Sequence, residues 1–118
     1  MESGNARASD FVAEAAGPSG LFGVFEDDGE TGYLYLYEPG DRGVVRHLHI
    51  YDRTPDLAVQ EQDVRVVWTE DLSKVGVLIW GRMRGIINLV TGQEGRVWLE
   101  SRNTPGIGDP AWLKGFPL

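Results

Sequence analysis

The chain has 118 residues, no cysteine, and 18 acidic against 11 basic side chains, for a formal net charge of −7. That length fits one domain with a core of its own, and 42% hydrophobic with 25% charged residues is ordinary for a globular protein. These values exclude disulfides, thiolate metal sites and cysteine nucleophiles, and they argue against nucleic acid as a partner, because its backbone demands a basic face.

Residues 1–10 are small and polar and read as a loose tail. The start Met1-Glu2-Ser3-Gly4-Asn5 has neither the basic end nor the apolar stretch of a secretory leader. No apolar run approaches the ~18 residues of a membrane helix. With no cysteine either, the expected location is cytoplasmic and the expected partners include no membrane. Phe11–Ala16 is too short to assign between a strand and a helical turn, and Gly17-Pro18-Ser19-Gly20 then breaks the chain. Leu21–Glu26 reads as a strand. Asp27-Asp28-Gly29-Glu30 reads as a hairpin turn, because Asp-Gly tolerates the positive φ of tight turns. Tyr33–Tyr37 is rich in strand formers, Glu38–Gly43 is a loop, and Val44–Tyr51 is a third strand. The polar stretch 52–62, with Pro55 and a helical turn expected near Leu57–Gln62, joins two halves. The pattern restarts with strands at Val64–Thr69, Val75–Trp80 and Met83–Val90, and Arg96–Glu100 is a candidate for one more. From about 101 the chain holds Pro105, Pro110 and Pro117 and is expected to be irregular, pinned to the body by Trp112 and Phe116. The expected organisation is a single β-rich domain over 11–118.

The two halves resemble each other. Leu21–Phe25 aligns with Val64–Trp68 at an offset of 43, and Leu34, Leu36 and Tyr37 meet Val77, Ile79 and Trp80 at the same offset. In the third strand the offset falls to 39, where Leu48 meets Ile87 and Ile50 meets Leu89. The fold class expected is therefore mainly β: two three-stranded antiparallel meanders, read as an internal duplication, forming either a sandwich or one curved sheet. Two such units are too few to close a propeller ring.

Three groups of residues are candidate sites. Alternation places His47 and His49 on one strand face with Val45 and Tyr51, opposite Leu48 and Ile50. Two histidines so spaced can share a divalent metal, with further ligands required from Glu26, Asp28 or Asp52. The alternative is a pair of surface or cross-strand histidines. Glu26, Asp27, Asp28 and Glu30 put four carboxylates within five residues. They are either a ligand or partner site or a solvated hairpin tip, and the spacing is not that of an EF-hand loop. Tyr33, Tyr35 and Tyr37 share one face of their strand. That strand is either buried on both sides or carries a tyrosine contact surface. Nucleophile elbows and glycine-rich phosphate loops are missing, which points away from an enzyme and from a bound cofactor.

The segment Val24-Phe25-Glu26-Asp27-Asp28-Gly29-Glu30-Thr31-Gly32-Tyr33 resembles the signature of a family of small uncharacterised bacterial proteins, a domain of unknown function. Leu48-His49-Ile50-Tyr51, Val67-Trp68-Thr69-Glu70-Asp71 and Gly115-Phe116-Pro117 are similar to further stretches of that family, with Thr69 in place of a serine. The resemblance spans about residues 11–118 and implies a bacterial, cytoplasmic origin without supplying an activity. Acidity, small size and aromatic-rich strands favour a non-enzymatic interaction module. It would be self-assembling, or partner-neutralising in the manner of immunity proteins. A metal- or small-ligand-binding protein, with or without enzyme activity, built on His47, His49 and the acidic turn is the alternative.

Overall fold

The computed structural model describes residues 11–40 and 43–118; the tail expected over 1–10 lies outside the described residues. Among the described residues, eight strands follow in chain order: β1 (Phe11–Ala16), β2 (Phe22–Asp27), β3 (Thr31–Glu38), β4 (Gly43–Asp52), β5 (Val64–Trp68), β6 (Lys74–Ile79), β7 (Arg82–Asn88) and β8 (Glu94–Arg96). They form two four-stranded antiparallel sheets, each in simple sequence order. The mainly β expectation holds, and each expected three-stranded meander gains one strand. In the first half that strand is Phe11–Ala16, whose ambiguity is resolved by its pairing with β2. In the second half the extra strand is shorter than Arg96–Glu100 and begins earlier, at Glu94.

The sheets pack face to face. Phe25, Leu34, Leu36, Leu48 and Ile50 of the first join Val64, Val75, Val77, Ile79 and Ile87 of the second in one buried cluster. Strand alternation explains this directly, since Leu34 and Leu36 share one face of β3 and Val75, Val77 and Ile79 one face of β6. Leu57 and Val59, in the otherwise polar connection, are buried in the same cluster. The helical turn expected there is a single 3-10 turn at Glu61–Asp63.

The second sheet is buried on its outer face as well. Val67, Leu78, Met83 and Ile86 pack under Phe116, with Ile107, Trp112 and Leu113 alongside. The expected pinning of the C-terminal stretch by Trp112 and Phe116 is thus present, and a short helix α1 (Pro110–Leu113) carries Trp112. Its first turn is capped by Asp109, whose side chain accepts from the Ala111 amide at 2.9 Å. Burial on both faces accounts for β6 being buried at every residue, without the polar alternation of a half-exposed strand.

Three β-bulges set side-chain directions that periodicity does not. Between β3 and β4 the register slips at Val45 and again at Ile50, and between β6 and β7 it slips at Arg84. The bulge at Ile50 reverses the expected placement of Tyr51. Tyr51 does not share the outer face with His47 and His49; it turns inward, fully buried, with its ring centroid 5.9 Å from that of Phe25. The ladders of the two halves also superpose. Phe25 paired with Leu34 corresponds to Trp68 paired with Val75, and Leu34 paired with Leu48 to Val75 paired with Ile87. The bulges at Val45 and Arg84 fall at the same place in this correspondence. The middle strands therefore align at 41 residues (Leu34 to Val75), not at 43, while the first and third keep 43 and 39.

Candidate functional site

The outer face of the first sheet is a grid of cross-strand rows. One row runs Val12, Glu26, Tyr33, His49; the next Glu14, Val24, Tyr35, His47; the third Ala16, Phe22, Tyr37, Val44. The tyrosine stripe thus lies between a histidine pair on β4 and carboxylates on β1 and β2. Among the described residues no second layer packs on this face as the C-terminal segment packs on the other sheet. Val12, Val44 and Tyr37 keep 48%, 54% and 38% of their surface exposed. The strand is therefore fully buried on its inner face, while on the outer face Tyr33 and Tyr35 are half-buried and Tyr37 is exposed.

Ring contacts give this face a fixed shape. Tyr33 stacks on His49 with centroids 4.8 Å apart and meets His47 edge-on at 6.1 Å. Trp98, from the segment after β8, closes the row edge-on against His49 at 4.9 Å, with the Arg96 guanidinium 5.0 Å from its ring. Its place is fixed by the buried Leu99, whose amide donates to the Ile50 carbonyl at 3.1 Å. Tyr35 donates to Glu26 Oε1 at 3.1 Å. Burial, and then the hydrogen bond and charge of Glu26, push the Tyr35 hydroxyl up to about 12.

The structure separates the four carboxylates of the acidic turn. Glu26 faces outward beside Tyr35, whereas Asp27 points inward and is fully buried. Asp27 Oδ2 accepts from the Tyr51 hydroxyl at 2.5 Å and from Arg53 Nη1 at 2.8 Å, and its Oδ1 accepts from the Gly29 amide at 2.8 Å. Burial, and then the Asp27 hydrogen bond, raise the Tyr51 hydroxyl well above its ordinary range. Asp28 organises the hairpin, accepting from the Glu30 and Thr31 amides at 2.9 and 2.8 Å. Glu30 is exposed. These residues therefore do not converge on one ligand: Asp27 fastens the fold, Asp28 shapes the turn, and Glu26 and Glu30 remain at the surface.

His49 Nε2 lies 2.8 Å from Asp52 Oδ1 and 3.1 Å from the Tyr51 carbonyl. Among the described residues no group of three or more His, Asp or Glu side chains is placed to hold a metal ion. Trp98 and the Asp27–Tyr51–Arg53 network escaped the sequence reading. Alternation did carry a signal for Asp27, which has the same parity as the inward Phe25; nothing local marks Trp98.

These features define a two-sheet β-sandwich with one outer face covered by the C-terminal segment and the other, among the described residues, without a covering layer, aromatic and edged with carboxylates. The chain belongs to the bacterial family described as uncharacterized protein conserved in bacteria, DUF2251, whose model matches residues 6–95. The match takes in the first sheet and runs into β8. No curated protein and no solved structure matches the chain. Among the described residues no helix is long and apolar enough to cross a membrane.

Proposed function

We propose that this is a non-enzymatic interaction module of the bacterial cytoplasm that docks a partner protein with a basic surface on the open face of its first sheet. The asymmetry of the two outer faces carries the reading: one is sealed by Phe116 and Trp112, whereas on the other, among the described residues, Tyr37 is exposed and Tyr33 and Tyr35 are half-buried beside it. Tyrosine is enriched at protein interfaces because it offers large contact area with few rotatable bonds and a polar end. Glu14 and Glu26 lie within the grid, with Asp52 at its end and Glu30 at the adjoining hairpin, and the whole chain carries −7. Lysine and arginine groups answer both the carboxylates and the ring faces. A second copy would bring like charge against like, so a partner-neutralising role fits better than self-assembly.

The test is capture from the native host with the unaltered protein, the Glu26→Lys, Tyr35→Ala double variant, and a Lys114→Glu control at the C-terminal segment. A specific basic protein retained by the first and third and lost by the second supports the reading. Equal retention by all three overturns it. The metal alternative has one favouring contact, His49 with Asp52. A divalent ion that copurifies and is lost in His49→Ala would move the assignment there.

A further inference from the structure

A second site lies at the far sheet and is independent of the tyrosine face. Where the turn between β6 and β7 meets the 3-10 turn and the C-terminal segment, a groove of about 520 Å³ is lined by Arg65, Arg82 and Arg102, with Asp63, Gln62 and Trp80. We propose that this groove binds the phosphate group of a small molecule.

Three observations carry the inference. First, the charge is unbalanced. Three arginines and a single carboxylate, Asp63, line the groove, a surplus of two positive charges in a protein whose net charge is −7. Among the described residues none of the three makes an ion pair; the pairs present are Arg46–Glu94, His49–Asp52 and Arg53–Asp27. A dianionic phosphate balances that surplus, whereas a lone carboxylate balances half of it.

Second, a fourth arginine backs the cluster. Arg84 is fully buried at the bulge of β7, with Nε donating to the Ile79 carbonyl at 3.1 Å and Nη1 to the Thr104 carbonyl that also accepts from Arg82. Its Nη2 has no acceptor among the described residues, and no carboxylate pairs with it. Burial without a counter-ion is costly, and Arg84 sets its positive charge behind Arg82, through the Thr104 carbonyl that both arginines share, without lining the groove itself.

Third, the two-residue turn between β6 and β7 places an aromatic ring at the groove. Trp80 has φ 54 and Gly81 φ 76, the positive-φ pair of a tight hairpin turn. That position sets the Trp80 ring under Arg102, whose Cζ is 5.0 Å from the ring centroid, and the Trp80 amide is tied to the Asp63 carbonyl at 3.0 Å. The stack orients a guanidinium that is otherwise free to swing.

The test uses inorganic phosphate as the probe, titrated into the full chain at constant ionic strength against sodium chloride. The readout is the indole N–H resonance of each of the four tryptophans. We expect a saturating shift at Trp80 while Trp68, Trp98 and Trp112 stay in place. Arg65→Gln and Arg102→Gln alter exposed side chains, so the variants should fold, and each should weaken binding about tenfold. A response no larger than that of chloride, a shift spread over all four indoles, or unchanged affinity in both variants would overturn the proposal.

Discussion

Removing the Asp27 carboxylate tests the account of the fold where it makes its strongest claim. Asp27→Ala deletes a fully buried anion that accepts three hydrogen bonds, two of them from Tyr51 and Arg53. Breaking a buried charge pair from one side costs about 3–5 kcal/mol, because the partner is left uncompensated. Arg53 keeps 21% of its side-chain surface exposed, and water recovers part of that loss, which places the expectation near ~3 kcal/mol. For a domain of this size that lowers the thermal midpoint by roughly 10 °C or more. The assay is urea unfolding of Asp27→Ala, Tyr51→Phe and the double variant. A coupling energy of about 1.5–3 kcal/mol is expected between the two sites, the range of a hydrogen bond to a charged group. A loss below ~1 kcal/mol in Asp27→Ala, or additivity within ~0.5 kcal/mol, would refute the reasoning.

Three further outcomes follow from particular contacts. The neutral hydroxyls of Tyr35 and Tyr51 are favoured in the fold, so their contribution is complete below the ordinary tyrosine value of 10.0 and is lost as pH rises above it, for Tyr35 through about 12 and for Tyr51 higher still. Thermal melts should fall above pH 10, with a shallower fall in Tyr51→Phe; an unchanged slope in that variant would count against the assignment. Gly17→Ala should destabilise by about 1–3 kcal/mol, because the new methyl would stand 2.2 Å from the Trp68 ring, and urea midpoints read the loss. Phe116→Ala should cost about 3 kcal/mol and increase binding of a hydrophobic dye by uncovering Val67, Leu78, Met83 and Ile86. An unaltered dye signal would mean that Phe116 does not seal that face.

Much of the sandwich was legible in the residues because alternation and turn chemistry act locally. Leu34 and Leu36 against Tyr33, Tyr35 and Tyr37 gave β3 its two faces, and Asp28-Gly29 marked the first hairpin. The direction of Tyr51 was not legible, since it depends on a register slip at Ile50 that only the pairing with β3 creates. The grouping of Glu26, Asp27, Asp28 and Glu30 failed as a single site for a related reason: neighbours in sequence point to opposite faces of a strand, and the turn consumes Asp28. The arginine groove assembles residues from three separate parts of the chain, Gln62–Arg65, Trp80–Arg82 and Arg102, so no local pattern announces it. The bare face was hidden in the sequence for the opposite reason. Seeing that, among the described residues, no layer covers the tyrosines requires knowing that Phe116 and Trp112 lie on the other sheet.

The central claim is that the open tyrosine face docks a basic partner, and hydrogen exchange tests it most directly on the protein isolated gently from its host, compared with the same protein stripped by high salt. The account predicts a co-isolated basic protein and slowed exchange confined to β2, β3 and β4 around Phe22–Glu26, Tyr33–Tyr37 and Val44–His49. A homo-oligomer, a bare protomer, or protection centred on the C-terminal segment would contradict it.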